Sequence, residues 1–173
     1  MHAAVARHHV DVVQELLKSG ASLNVQDRNG GTPLRWAIDY GHEDLVDLFL
    51  ANDADVVAAD RIGWTPLHAA VEGGSLRMVN DLVKAGAPVN ARDKTGDSPL
   101  HIAAEEGRVD VAATLLAGGA DPRLTDQSGA TALHHAAKAG WSLTARLLLA
   151  SDVNVNAQDN NGMTPLHWLM AFS

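Results

Sequence analysis

Apolar positions fall in short, recurring stripes rather than in long runs. Leu34, Ala37 and Ile38 stand at i, i+3 and i+4, the spacing that lines one face of a helix. Leu45, Val46, Leu48 and Phe49 then set a second helical stripe, which ends near Asp53-Ala54. From Asp55 up to the next Thr-Pro pair the helical period stops and Asp, Asn and Gly prevail, as in a turn or hairpin. The predicted unit is helix, short turn, helix, extended turn.

That unit recurs along the chain. Asp27, Asp60, Asp93, Asp126 and Asp159 follow one another at steps of 33, and so do Gly30, Gly63, Gly96, Gly129 and Gly162. Leu34, Leu67, Leu100, Leu133 and Leu166 hold the same step. Thr32-Pro33 opens the first helix of its unit, a hydroxyl N-cap followed by a proline whose missing N–H costs nothing at N1. Thr65-Pro66, Ser98-Pro99 and Thr164-Pro165 repeat the device, while Thr131-Ala132 keeps only the cap. Gly41, Gly74, Gly107 and Gly140 close these helices, as residues free to turn left-handed do. So small a unit cannot bury its own apolar face, so units stack on their neighbours. Ala70, Ala103, Ala136 and Ala137 allow the close approach that stacking needs. The fold predicted is an all-α solenoid of helix-turn-helix units with turns projecting from one edge.

Composition narrows the chemistry. The chain has 173 residues, of which 46% are hydrophobic and only 4% aromatic, fitting thin helix pairs filled by Ala, Leu and Val. It has no cysteine, which excludes disulfides, thiolate metal sites and cysteine nucleophiles. Thirteen Lys and Arg against 21 Asp and Glu give a net charge of −8, which argues against a nucleic-acid partner. No apolar run approaches the roughly 20 residues that span a bilayer, and the His, Arg, Asp and Gln within residues 1–15 do not read as a signal peptide.

With these residues in view, the chain resembles the ankyrin repeat. The resemblance rests on the 33-residue step and on Thr65-Pro66-Leu67-His68-Ala69-Ala70 with Gly74 and Ala85-Gly86-Ala87. Ser98-Pro99-Leu100-His101-Ile102-Ala103-Ala104, Gly119-Ala120-Asp121 and Thr164-Pro165-Leu166-His167 carry it onward. It implies one ankyrin-repeat domain over residues 1–173, with projecting β-hairpin-like turns. Four full repeats run 27–59, 60–92, 93–125 and 126–158, with partial ones at 1–26 and 159–173. Arg35 stands where the family has His, Ala132 where it has Pro, and Asp53 and Asp152 where it has Gly. The apolar end Trp168-Leu169-Met170-Ala171-Phe172 suggests a longer parent array or a covering partner.

The resemblance makes the histidine column of His68, His101, His134 and His167 structural, bonding neighbouring turns, along with Thr65, Pro66, Leu67, Pro99, Leu100 and Pro165. No metal and no cofactor are expected, since consecutive column histidines lie on different units with no carboxylate at ligand spacing. The adjacent pairs His8-His9 and His134-His135 point to different faces. No hydrolase, metalloprotease, P-loop or dinucleotide-binding motif is present, and Glu105-Glu106 sit side by side on a helix, where neighbours do not face each other. No enzyme activity and no small-molecule substrate are expected.

What the resemblance implies instead is a non-catalytic, intracellular protein-interaction scaffold, cytoplasmic with the nucleus as the alternative, its concave face lined by hairpin tips and the solvent side of the first helices. The residues expected there are Arg28, Tyr40, Arg61, Ile62, Trp64, Glu72, Arg92, Lys94, Asp97, Glu105, Glu106, Lys138 and Met163. Trp64 and Ile62 stand out as large apolar residues at turn tips, and aromatic and Arg residues are frequent interface hot spots. Arg28, Arg61, Arg92 and Lys94 make a basic row suited to an acidic stretch of a partner. Between Asp39 and Asp60 seven acids occur with no Lys or Arg, a solvated outer face by default. Asn24, Asn90 and Asn156 occupy a turn column that ankyrin-like arrays can offer for hydroxylation, though a turn asparagine commonly bonds its own backbone. The alternative function is a partner-recruiting module of a larger enzyme or channel.

Overall fold

The computed structural model describes residues 1–171, which contain eleven α-helices. The chain divides into two compact units, Met1–Pro88 and a second starting at Val89. The first holds α1 (His2–Ala6), α2 (Val10–Lys18), α3 (Pro33–Asp39), α4 (Glu43–Leu50), α5 (Pro66–Gly73) and α6 (Leu76–Lys84). The second holds α7 (Pro99–Glu105), α8 (Val109–Ala117), α9 (Ala132–Lys138), α10 (Ser142–Leu149) and α11 (Pro165–Ala171). Helix pairs alternate with turns as the polar–apolar pattern predicts. Among the described residues strand pairing is limited to an isolated antiparallel bridge between Thr125 and Thr131, so the projecting turns are held by tight hydrogen bonds rather than by a ladder.

In the first unit α3 packs between α1 and α5, with α2, α4 and α6 behind their partners. Leu34, Leu45, Phe49, Leu67 and Leu82 are fully buried there, each burial contributing roughly 1.5–3 kcal/mol. In the second unit α9 packs between α7 and α11, and α10 against α8 and α9, around buried Leu100, Leu115 and Leu148. Ala70 in one unit and Ala103 and Ala136 in the other are at most 1% exposed, so the methyl-sized contact predicted there is present, whereas Ala137 is only half-buried.

Histidine does two jobs at each first-helix start. The Nδ1 of His101 accepts from the Ser98 N–H at 3.2 Å, and His134 treats Thr131 alike at 3.1 Å. Their Nε2 groups donate one repeat onward, to the carbonyls of Ala130 (3.3 Å) and Met163 (3.1 Å). His2 spans to the Gly31 carbonyl in the same way at 3.0 Å, which puts Met1-His2 in the Leu-His register. His68 caps Thr65, and exposed His167 caps Thr164. Where Arg35 replaces the histidine, its guanidinium instead reaches the Asp60 carboxylate at 3.1 Å. A longer, charged side chain thus substitutes an ion pair for a backbone bond.

The asparagine column also joins repeats. Asn24 Oδ1 accepts from the Asp55 N–H at 3.0 Å, and Asn90 Oδ1 from the Asp121 N–H at 2.8 Å. These side chains bond the next repeat's backbone, where bonding to their own turn was the simpler expectation.

Candidate functional site

Each tip is built on its aspartate. Asp27 Oδ1 accepts the N–H groups of Asn29 and Gly31 at 2.7 and 3.0 Å, and Asp60 Oδ1 those of Ile62 and Trp64, both at 2.9 Å. Asp126 and Asp159 repeat the arrangement. The glycine three residues on holds φ near +80°, +88° at Gly30 and +81° at Gly129, a left-handed turn that disfavours any side chain. Burial pushes the Asp27 carboxyl up, but the Gly31 and Asn29 amides and the Trp36 indole outweigh it and hold it below its ordinary value. Within each unit neighbouring tips are also joined backbone to backbone, Arg61 N–H to Asn29 at 2.9 Å and Gln127 N–H to Thr95 at 2.9 Å. The face is therefore built on tips fastened by their own backbone and aspartates.

In the first unit that face contains a groove of about 360 Å³ lined by Asp27, Asn29, Gly31, Arg35, Trp36, Asp39, Tyr40 and Asp60. Arg35 is clamped between Asp39 at 2.8 Å and Asp60 at 3.1 Å. Trp36 donates its indole N–H to Asp27 Oδ2 at 2.8 Å and packs 6.0 Å from the Tyr40 ring. Tyr40 and Ile62 are both 54% exposed. Arg28 and Arg61 are exposed and form no ion pair among the described residues. Glu72 is exposed at the end of α5.

Trp64 differs from its expected role as a free-standing tip residue. Its ring is only partly exposed, stacks on His68 at 6.1 Å, and lies under the Arg35 guanidinium at 5.4 Å. A cation–π contact and a stacked imidazole thus give this tryptophan a place within the fold. The acidic run is likewise partly engaged. Arg77 on α6 reaches Glu43 at 2.6 Å and Asp47 at 2.5 Å, and His8 pairs with Asp44 at 2.7 Å. These exposed pairs each contribute little, but they temper the negative face.

In the second unit, Lys94, Glu105, Glu106 and Lys138 are exposed, while Asp97 and Met163 are half-buried. Arg92 folds back, donating to the Gly96 carbonyl at 3.1 Å and the Thr125 carbonyl at 2.5 Å. It braces its own tip instead of completing a basic row. Lys138 Nζ lies 5.7 Å from the Trp168 ring centre, and Arg108 stands 4.0 Å from Glu106. The α11 residues Leu166 and Met170 are 67% and 75% exposed, whereas Phe172, part of the apolar end, lies outside the described residues.

The sequence matches the profile of ankyrin repeats over residues 1–60, 58–126 and 100–172. The chain belongs to the ankyrin-repeat family. No curated protein matches it closely enough to count as a relative. Ankyrin repeats are in general protein–protein interaction modules and are typically non-catalytic. Among the described residues of this ankyrin-repeat chain no helix is long and apolar enough to cross a membrane.

Two features of the ankyrin-repeat tips escaped sequence reasoning. Arg35 and Trp36 floor the first unit's groove, and the signal for Trp36 was its place nine residues after the tip aspartate, shared with Trp168 on Asp159. His135 occupies the same place after Asp126. The expectation of no metal rested on the column histidines; at His135, which lies outside that column, Asp126 and Asp97 approach Nε2 at 3.0 and 3.8 Å. Asp126 heads the same repeat, nine residues before His135, whereas Asp97 comes from the preceding repeat, which linear spacing could not show.

Proposed function

We propose that this ankyrin-repeat chain binds a protein partner through its hairpin tips and the outward side of its first helices. The observation that carries the reading is the pair Tyr40 and Ile62, each more than half exposed, one at the end of α3 and the other at a tip. They flank exposed Arg28 and Arg61 and the groove floored by Trp36. Aromatic, aliphatic and Arg side chains on a rigid surface are the usual material of binding hot spots, because little entropy is lost on docking. The two arginines favour an acidic segment of the partner, with association weakened by salt.

The test is an affinity capture with wild type beside the triple variant Tyr40→Ala/Arg61→Glu/Ile62→Ser. Partners retained by wild type are expected to be lost by the variant while its thermal melt shifts by no more than a few degrees. Undiminished capture by the variant overturns the assignment. Trp64 is not suited to this test, because its contacts with His68 and Arg35 mix stability into any binding loss.

A further inference from the structure

In the second unit, one imidazole and two carboxylates converge from two successive repeats. Asp97 immediately precedes the Ser98 cap of α7, Asp126 starts the following tip, and His135 lies on α9. His135 Nε2 is 3.0 Å from Asp126 Oδ2 and 3.8 Å from Asp97 Oδ1, and a donor atom of each residue lies within 4.8 Å of the others. We propose that Asp97, Asp126 and His135 form a binding site for one divalent first-row transition-metal ion.

Geometry supports this first. Metal–nitrogen and metal–oxygen bonds of about 2.0–2.2 Å hold neighbouring ligands roughly 3.0–3.5 Å apart. The His135–Asp126 separation falls in that range and the His135–Asp97 one lies a few tenths of an ångström beyond it, so closure asks for movement of the Asp97 side chain. The carboxylates are also aimed. Asp126 Oδ1 accepts the N–H groups of Ser128 and Ala130 at 2.7 and 3.0 Å, which turns Oδ2 towards the imidazole. Asp97 Oδ2 lies 2.9 Å from the Thr95 hydroxyl, whose shorter contact is Asp93 Oδ1 at 2.6 Å, and Asp97 Oδ1 is the oxygen on the His135 side. Ligands held by hydrogen bonds from behind are what a built metal site requires.

The second support comes from the imidazole's other nitrogen. His135 is 9% exposed, and its Nδ1 is buried with no hydrogen-bond partner among the described residues. While Nε2–H donates to Asp126, Nδ1 presents a lone pair to Glu105 Oε2, 4.0 Å away. A lone pair facing a carboxylate is a poor arrangement for a buried ring. A cation bound at Nε2 removes the mismatch: the ring proton moves to Nδ1, where it donates to Glu105. The proton is relocated within the ring rather than lost, and Glu105 becomes the positioning carboxylate that orients a metal-bound histidine. Elsewhere in this unit the column lacks the means. Trp168 on Asp159 offers a donor-only indole, and the residue in Asp97's place there is Ala130.

The donor set selects the class of ion. An imidazole nitrogen with two carboxylate oxygens suits Mn²⁺, Fe²⁺, Co²⁺ or Zn²⁺, whereas Mg²⁺ and Ca²⁺ prefer oxygen alone. Three protein ligands leave coordination positions for water or for a carboxylate of a docked partner.

The test uses the metal-stripped full chain, titrated calorimetrically with Zn²⁺ and optically with Co²⁺. One ion per chain is expected, with visible Co²⁺ absorption. Asp97→Asn and His135→Gln should each weaken Zn²⁺ binding at least tenfold, and Glu105→Gln by about tenfold or more with stoichiometry unchanged. Nitrogen NMR of the wild-type protein gives a readout that depends on no variant: Zn²⁺ should leave His135 protonated at Nδ1 and metal-bound at Nε2. Unchanged binding in either Asp97→Asn or His135→Gln overturns the site, as does a bound ion that leaves the His135 ring signals unmoved. Binding that disappears instead when exposed His8 and His9 are replaced overturns it as well.

Discussion

Trp36 and His135 occupy one column in two units, nine residues after a tip aspartate, and each approaches that aspartate's outer oxygen, at 2.8 Å and 3.0 Å. The backbone around them is the same device, with a hydroxyl cap, a first helix and a glycine at its end. What differs is the chemistry of the ring. Indole can only donate, so Trp36 locks Asp27 in one state and offers its face to the groove beside Tyr40. Imidazole donates or accepts, so His135 keeps two states open among Asp97, Asp126 and Glu105. The tip fastening thus tolerates either ring, and the choice of ring sets the chemistry that position offers. Three substitution pairs probe how far the likeness extends.

The largest contrast lies at the glycines that end the first helices. Gly41 in the first unit and Gly107 in the second hold φ of +71° and +67°. A Cβ at Gly41 meets nothing within 4 Å, whereas at Gly107 it falls 2.4 Å from Cδ2 of the Trp141 ring. Trp141 also donates its indole N–H to the Glu105 carbonyl at 2.7 Å. Gly41→Ala should therefore cost about 1 kcal/mol, the left-handed penalty alone. Gly107→Ala should cost about 2–3 kcal/mol, since the ring must leave and its hydrogen bond is lost. Denaturant melts of the two variants check this, and equal costs would show that Trp141 swings aside freely.

How much of this was legible beforehand follows from the same residues. The 33-residue columns of Asp, Gly and Leu announced the helix pairs and tips, because each column answers a local demand: an N–H acceptor, a left-handed turn, a core contact. Exposure of Ile62 and Tyr40 was legible too, as neither fits a packing column. The roles of Trp64, Arg92 and His135 were not. Each depends on a group of another repeat, 29 to 38 residues away for Trp64–Arg35, Arg92–Thr125 and His135–Asp97, and periodicity says which residues share a column without saying what crosses between columns. Arg92 read as a presented charge because its length allows either fate. Only the position of the Thr125 carbonyl decides.

The middle contrast asks whether indole and imidazole differ as argued. In Asp27→Asn the side-chain oxygen can still serve the Asn29 and Gly31 amides, but an amide N–H then faces the Trp36 N–H. Two donors in contact, with a charge-assisted bond lost, should cost about 1–2 kcal/mol. In Asp126→Asn the new N–H faces His135 Nε2, which accepts once the ring proton shifts to Nδ1 beside Glu105. That variant should stay within about 0.5 kcal/mol of wild type. Amide exchange of α3 and α9 resolves the two effects unit by unit. Equal losses would mean that His135 acts as a fixed donor like Trp36, which would also remove the proton shift on which the metal site relies.

The smallest contrast concerns two aspartates at second-helix ends. Asp53 and Asp152 hold φ of +58° and +51°, where the equivalent Gly20, Gly86 and Gly119 hold +81°, +84° and +90°. Glycine at either position removes a side chain from the left-handed region, and Asp tolerates that region better than most residues. Asp53→Gly should therefore gain about 0.5–1 kcal/mol. Asp152 has a second duty, since its charge adds to that of Asp121 in raising the affinity of Arg123 for its proton. Asp152→Gly removes the strain and that attraction together, so its gain should be the smaller of the two. Denaturation midpoints of the two variants measure the difference, and a larger gain at Asp152 would show that the exposed charge near Arg123 contributes nothing.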